Sequence, residues 1–279
     1  MISETRLQDL AGRLVGVAGV QAVTLGGSRA RGEHTPESDV DLGLYYRPPL
    51  DVDALQQLAQ TVAGEGARVT VPGAWGPWVD GGAWLTIDGT AVDWIYRDLE
   101  RVRAAWRDAE QGRFGFHFQV GHPLGFPDFV YAGEVALGRI LADPSGEVAS
   151  LREAAQSYPP RLRQALVDRL REASFALDNA GKAVSRGDSA YVSGCLFRVV
   201  LLCAHALHAD AGRWLINEKG AVAAAARLPH APTDFGPRAQ EVCGHIGSTT
   251  AELHDTLVNA RRLLEDTRAA CDTERSNDR

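Results

Sequence analysis

Gly26-Gly27-Ser28-Arg29-Ala30-Arg31-Gly32, followed by Ser38-Asp39-Val40-Asp41-Leu42, decides the reading of this chain. Gly26 and Gly27 carry no Cβ, so their backbone N–H groups can approach an anion such as a phosphate closely. The apolar run Val20 to Leu25 ahead of the turn reads as a strand, and Val40 to Tyr46 reads as the next one. Residues two apart on a strand share a face, so Asp39 and Asp41 are expected to project together.

Two neighbouring carboxylates repel, and a cation between them relieves the repulsion. Ligation by oxygen alone favours a hard ion, and Mg²⁺ commonly combines one or two carboxylates with substrate phosphates. A glycine turn, a phosphate and metal-holding carboxylates together imply transfer of a nucleotidyl or phosphoryl group. A polar strand edge beside a flexible turn is the bland alternative.

A further candidate lies downstream. Trp84 to Ile87, Asp88-Gly89 and Thr90 to Tyr96 read as a hairpin, because Asp-Gly between apolar runs is a strong two-residue turn signal. Asp93 stands alone as a charge between Val92 and Trp94. A buried aspartate without a partner is costly, so Asp93 is expected to face a metal or a cation, unless it points outward from an edge. Asp88 is explained by the turn itself.

The glycine-serine turn and the Asp-x-Asp strand resemble the signature of the polymerase-beta-like nucleotidyltransferase superfamily, nearest to its antibiotic (aminoglycoside-type) and minimal branches. The resemblance covers roughly the first hundred residues. It implies an α+β fold: a mixed β-sheet flanked by helices, followed by an all-α helical-bundle domain. It implies a metal triad of Asp39, Asp41 and Asp93 holding one or two Mg²⁺ ions, with ATP or another nucleoside triphosphate as co-substrate. Gly27 and Ser28 would meet the phosphates. Neighbouring residues of a short helix point in different directions, so one of Arg29 and Arg31 faces inward, and Arg31 is preferred. Antibiotic-modifying relatives often add a glutamate as general base, which points to Glu134, within Val130 to Leu137; a solvent-facing glutamate is the alternative. A looser resemblance of the C-terminal half, through Arg198, Asn217-Glu218-Lys219 and Leu228-Pro229, carries a triphosphate-binding lysine over to Lys219. An ordinary surface lysine explains that position equally well.

Composition bounds these readings. The chain has 279 residues, enough for two modest domains. Its net charge of −7 argues against a general nucleic-acid binder, and no Lys/Arg-rich run occurs. The 4 cysteines include no Cys-x-x-Cys and read as reduced thiols of a cytoplasmic protein. Glu4, Arg6 and Asp9 on a helical pattern argue against a signal peptide. No apolar run is read as long enough to cross a bilayer.

Residues 1–105 are expected to form the nucleotidyltransferase domain, 106–143 a connecting segment, 144–271 the helical domain and 272–279 a disordered tail. Within them, helices are expected over 3–15 and about 51–63, a short strand at Val69 to Val71, and a helix from Phe129 to Leu141. The loop Pro72 to Gly82 is expected merely to cover the sheet. His117, His122, His205 and His208 read as packed or surface histidines rather than metal ligands.

The expected activity is transfer of a nucleoside monophosphate, AMP from ATP in the first instance, to an acceptor hydroxyl with release of pyrophosphate. An acidic chain suits a cationic small molecule such as an aminoglycoside, which would make antibiotic resistance a consequence. The alternatives are a protein-modifying transferase (an AMPylase) and a non-catalytic, antitoxin-like regulator that binds ATP.

Overall fold

The computed structural model describes residues 2–32, 34–35 and 38–277, with side chains through Asp272. Contacts divide the chain into two compact units, Met1–Ala109 with Phe114–Ser157 and Glu110–Arg113 with Tyr158–Arg279.

In the first unit, α1 (Glu4–Val15) is capped by Ser3, whose Oγ accepts the Arg6 N–H at 3.2 Å. There follow β1 (Val20–Leu25), α2 (Gly27–Ala30), β2 (Val40–Tyr46), α3 (Val52–Ala63), β3 (Gly82–Ile87) and β4 (Thr90–Asp98). Asp51 caps α3 through the Ala54 N–H. Asp88 and Gly89 both take positive φ, +52° and +75°, as a two-residue hairpin turn demands. Next come α4 (Leu99–Glu110), the short pair β5 (Phe116–His117) and β6 (Phe126–Pro127), α5 (Val130–Leu137), β7 (Arg139–Ala142) and α6 (Glu147–Ala155).

The main sheet has the order β3-β4-β2-β1-β7. The β2/β4 pairing is parallel and the others are antiparallel. Alternation along the strands gives the sheet two unlike faces. Val40, Leu42 and Leu44 of β2, Val92, Trp94 and Tyr96 of β4, and Leu85 and Ile87 of β3 are buried in one core with Leu7, Leu10 and Leu14 of α1 and Leu55 and Leu58 of α3. Each such side chain contributes about 1.5–3 kcal/mol by leaving water. Asp41, Asp93 and Trp84, at the alternate positions, fall on the opposite face.

Three expectations for this unit are corrected. The segment 106–143 is not a connector between domains, since most of it is built into the first unit. The helix expected to run to Leu141 stops at Leu137, and Gly138 turns the chain into β7, which pairs with β1. A Cβ at Gly138 would stand 2.8 Å from the Glu134 carbonyl, so glycine lets the chain leave the helix there. Val69 to Val71 form no strand. Thr70 instead donates its N–H to the Gly82 carbonyl at 2.9 Å and accepts the Gly82 N–H on its hydroxyl.

The second unit contains α7 (Pro160–Asp168), α8 (Leu170–Val184), α9 (Ser189–Asp210), α10 (Ala221–Ala225), α11 (Phe235–Gly244) and α12 (Thr250–Asn277). Contrary to the sequence expectation, α9 is long and apolar enough to cross a membrane by length and composition alone. Its apolar sides are covered by α7, α8, α10, α11 and α12, which accounts for its composition as the central helix of a bundle. His205 and His208 are buried within it. Of the expected tail 272–279, α12 continues through Asn277, and the last two residues lie outside the described ones. The short helix α11 had no sequence reading, because Gly236 and Pro237 obscure its pattern.

Candidate functional site

The site is built where β1 ends and β2 begins. The Gly26 N–H donates to the Asp41 carbonyl at 2.8 Å, so this amide holds the turn against β2 and is not offered to a ligand. Gly27 has φ +61°, and a Cβ there would stand 1.8 Å from Asp41 Oδ2. Glycine is therefore required twice at this position, for its backbone angle and for the close approach of the carboxylate. Ser28 follows at the start of α2, half-buried.

The two arginines of the motif part company. Arg29 folds back and donates from Nε and an Nη to the Ser38 carbonyl at 3.1 and 2.6 Å, and from Nε to the Asp39 carbonyl at 3.0 Å. It therefore latches the segment that carries Asp39. Arg31 is exposed, and its charge acts on Asp41.

Asp41 and Asp93 face each other directly across the parallel β2/β4 ladder. Opposed residues share a face, and adjacent strands lie about 4.8 Å apart. Burial, then the charges of Asp39 and Glu134, push the Asp41 carboxyl above the usual carboxylate range, and Arg31 pulls it back. Burial and the charges of Asp41 and Asp39 push Asp93 up to about 6. The three carboxylates are thus electrostatically coupled. Asp39 lies one residue ahead of β2 and is exposed, and its charge acts on both Asp41 and Asp93. Among the described residues, no three His, Cys, Asp or Glu side chains are gathered closely enough to hold a metal ion as they stand. The donor set still fits a hard divalent cation, because it is all oxygen and its like charges are poorly compensated.

Glu134 is not the poised base expected of it. Arg97, on β4 and 5% exposed, grips it with two parallel hydrogen bonds, Nε to Oε2 at 2.6 Å and an Nη to Oε1 at 2.7 Å. Arg97 also donates to the Tyr96 carbonyl at 3.0 Å and lies 5.6 Å from the Tyr131 ring centroid. A carboxylate with both oxygens engaged by a guanidinium is a weak proton acceptor. Arg97 escaped the sequence reading because its partner lies 37 residues away.

Lys219 belongs to the second unit. It is exposed, and its N–H donates to Asn217 Oδ1 at 2.9 Å, the turn that leads through Gly220 into α10. His117 packs as expected, stacked on Trp78 with centroids 3.7 Å apart and bonded to Asp128 at 2.9 Å.

Residues 6–69 match the family model of the nucleotidyltransferase domain. The matched segment contains Gly27, Ser28, Asp39 and Asp41 and stops before Asp93. The chain also aligns with the crystal structure of a nucleotidyltransferase-like protein from Exiguobacterium sibiricum 255-15, at 12% identity and a TM-score of 0.46, covering 99% of this chain and 80% of that one. No curated protein matches the chain.

Proposed function

We propose that this protein, whose residues 6–69 match the nucleotidyltransferase domain model, moves AMP from ATP to a hydroxyl of a small-molecule acceptor and releases pyrophosphate. The observation that carries the reading is the pairing of Asp41 with Asp93 on one open sheet face, with Gly27 packed against Asp41. Opposed and poorly compensated carboxylates are costly to a protein that has no use for them.

Asp39, Asp41 and Asp93 would hold Mg²⁺, which when bound supplies charge neutralisation at the phosphates and lowers the pKa of a nearby hydroxyl. Gly27 and Ser28 would meet the triphosphate, with Arg31 beside them. In the transfer itself, the acceptor oxygen forms a bond to the α-phosphorus as the bond from that phosphorus to the bridging oxygen breaks. The electron pair leaves with pyrophosphate, and the hydroxyl proton passes to solvent or to Asp93. Positioning supplies most of the acceleration in such reactions. Arg97 and Glu134 hold the sheet and α5 together beside the site and take no part in proton transfer.

The test is incubation of the purified protein with Mg²⁺, ATP labelled at the α-phosphate, and either an aminoglycoside panel or cell lysate. Label on a small molecule with pyrophosphate release supports the reading. A labelled protein band replaces it with protein modification. Nucleotide binding without pyrophosphate release reduces it to a regulator.

A further inference from the structure

The second unit holds a groove of about 500 Å³ that nucleotidyl transfer does not use. Its volume lies within the range of small-molecule sites. One wall is a single side of α11, where Asp234, Arg238 and Glu241 recur at helical spacing with Pro237 and Val242 beside them. The other wall is α12, through Asn259 and Arg262, which stand three residues apart and so share a face.

Charge in this groove is only partly answered. Arg238 is held in place, one Nη donating to Asp266 Oδ2 at 2.7 Å and the other to the Thr233 carbonyl at 3.3 Å. Glu241 shares one oxygen with His245 at 2.9 Å. The side chains of Arg262, Asn259 and Asp234 make no hydrogen bond or ion pair with any described residue. Asp234 is the most telling of the three. It precedes the first turn of α11 in the left-handed region, at φ +55°, and its carboxylate makes no bond to the helix it begins. Aspartate at that position ordinarily caps its helix. Here that contribution is forgone, in a backbone conformation few side chains adopt, and the carboxylate lines the groove instead.

We propose that the groove binds a small dipolar molecule with a carboxylate at one end, an ammonium at the other and an apolar body between, as in an ω-amino acid. The planar fork of Arg262 meets the carboxylate with two parallel hydrogen bonds, and the Asn259 amide adds a third from the preceding turn. The ammonium turns to Asp234 and Glu241 on the facing helix. Val242, buried, and the Pro237 ring take the methylene body. Packed helices lie about 8–10 Å apart, so charges on facing walls suit charges at opposite ends of a ligand rather than on one carbon. A phosphate would meet two carboxylates, and a polyamine would meet two guanidinium groups, so neither matches the whole lining. The site is independent of nucleotidyl transfer and stands or falls without it.

The test uses the full chain and four probes: ε-aminocaproate, its isomer norleucine with both charges on one carbon, caproate without the amine, and hexylamine without the carboxylate. Titrations are followed by calorimetry and by the backbone amide resonances. Millimolar ε-aminocaproate is expected to shift the amides of α11 and of residues 259–262, and to bind about tenfold more tightly than any of the other three. Arg262→Ala and Asp234→Asn should each weaken its binding about tenfold. Both side chains are exposed and unpaired, so the thermal midpoint should hold in each variant. Amides of α11 that do not move, equal binding of the four probes, or affinity unchanged in both variants each overturn the proposal.

Discussion

Two pairs of charged positions stand four residues apart on the same strand face and behave in opposite ways. At one end of β4, Asp93 faces Asp41 across the ladder, and each is raised by burial and by the charge of the other carboxylates or, for Asp41, of Asp39 and Glu134. At the other end, Arg97 is buried and closed onto Glu134 by two short hydrogen bonds. The second pair is what a fold does with charge that must be buried: each donor and acceptor is answered. The first pair is only partly answered, by the charge of Arg31 on Asp41, and a sheet that could have placed threonine or valine there keeps like charges opposed. Like charges held opposed on a sheet face are the mark of a place meant for something else.

Substitutions should separate the two ends cleanly. The largest effect is expected at the strained end. Asp41→Asn should lower transfer on the order of 10³-fold, while the thermal midpoint holds or rises because a like-charge repulsion has gone. Turnover close to that of the unmodified protein, measured with labelled ATP, would return Asp41 to the role of a surface carboxylate.

At the satisfied end the effect should fall on stability. Glu134→Ala leaves Arg97 buried without its partner and should cost about 3–5 kcal/mol in urea unfolding. Replacing both residues together, Arg97→Met with Glu134→Leu, should recover most of that loss, since an apolar pair of similar volume tolerates the site. A Glu134→Ala protein of unchanged stability would show that the ion pair holds nothing.

The second unit offers a buried titratable group of another kind. Burial, and then the charge of His208, pushes His205 down to about 3, so it is neutral in the fold at pH 7. An unfolded histidine titrates near 6.5. Between those values the unfolded chain holds the extra proton, so stability falls as pH drops from about 6.5 toward 3. From pH 6.5 to pH 5 the loss should be about 2 kcal/mol, and His205→Leu should flatten that slope. Parallel slopes for the two proteins would remove His205 as the cause.

The smallest expected effect distinguishes the motif's arginines. Arg31→Ala should weaken binding of a non-hydrolysable ATP analogue about fivefold, on the order of 1 kcal/mol, with no change in thermal midpoint. Arg29→Ala should instead loosen the segment bearing Asp39, because three hydrogen bonds to the Ser38 and Asp39 carbonyls are lost.

What could be read from the sequence follows the range of the forces involved. The strands β1, β2 and β4, the Asp-Gly hairpin and the helices beginning near residues 3 and 51 rest on local patterns, and they stand where those patterns put them. Asp93 stands out in the sequence because one charge breaks an apolar alternation, and the β2/β4 register then sets it opposite Asp41. β7 does not stand out, because four residues after an apolar helix become a strand only by pairing with the free edge of β1. Glu134 was misread for a similar reason. Its apolar neighbours mark it as unusual, but only the folded chain brings Arg97 to it.

The central claim is that Asp41 and Asp93 together hold a divalent cation with a nucleoside triphosphate. Its most direct test is the electron paramagnetic resonance signal of Mn²⁺ titrated into the protein with a non-hydrolysable ATP analogue. Bound, analogue-dependent Mn²⁺ in the unmodified chain, lost in both Asp41→Asn and Asp93→Asn, is the predicted result. Bound Mn²⁺ that persists undiminished in both variants would contradict it.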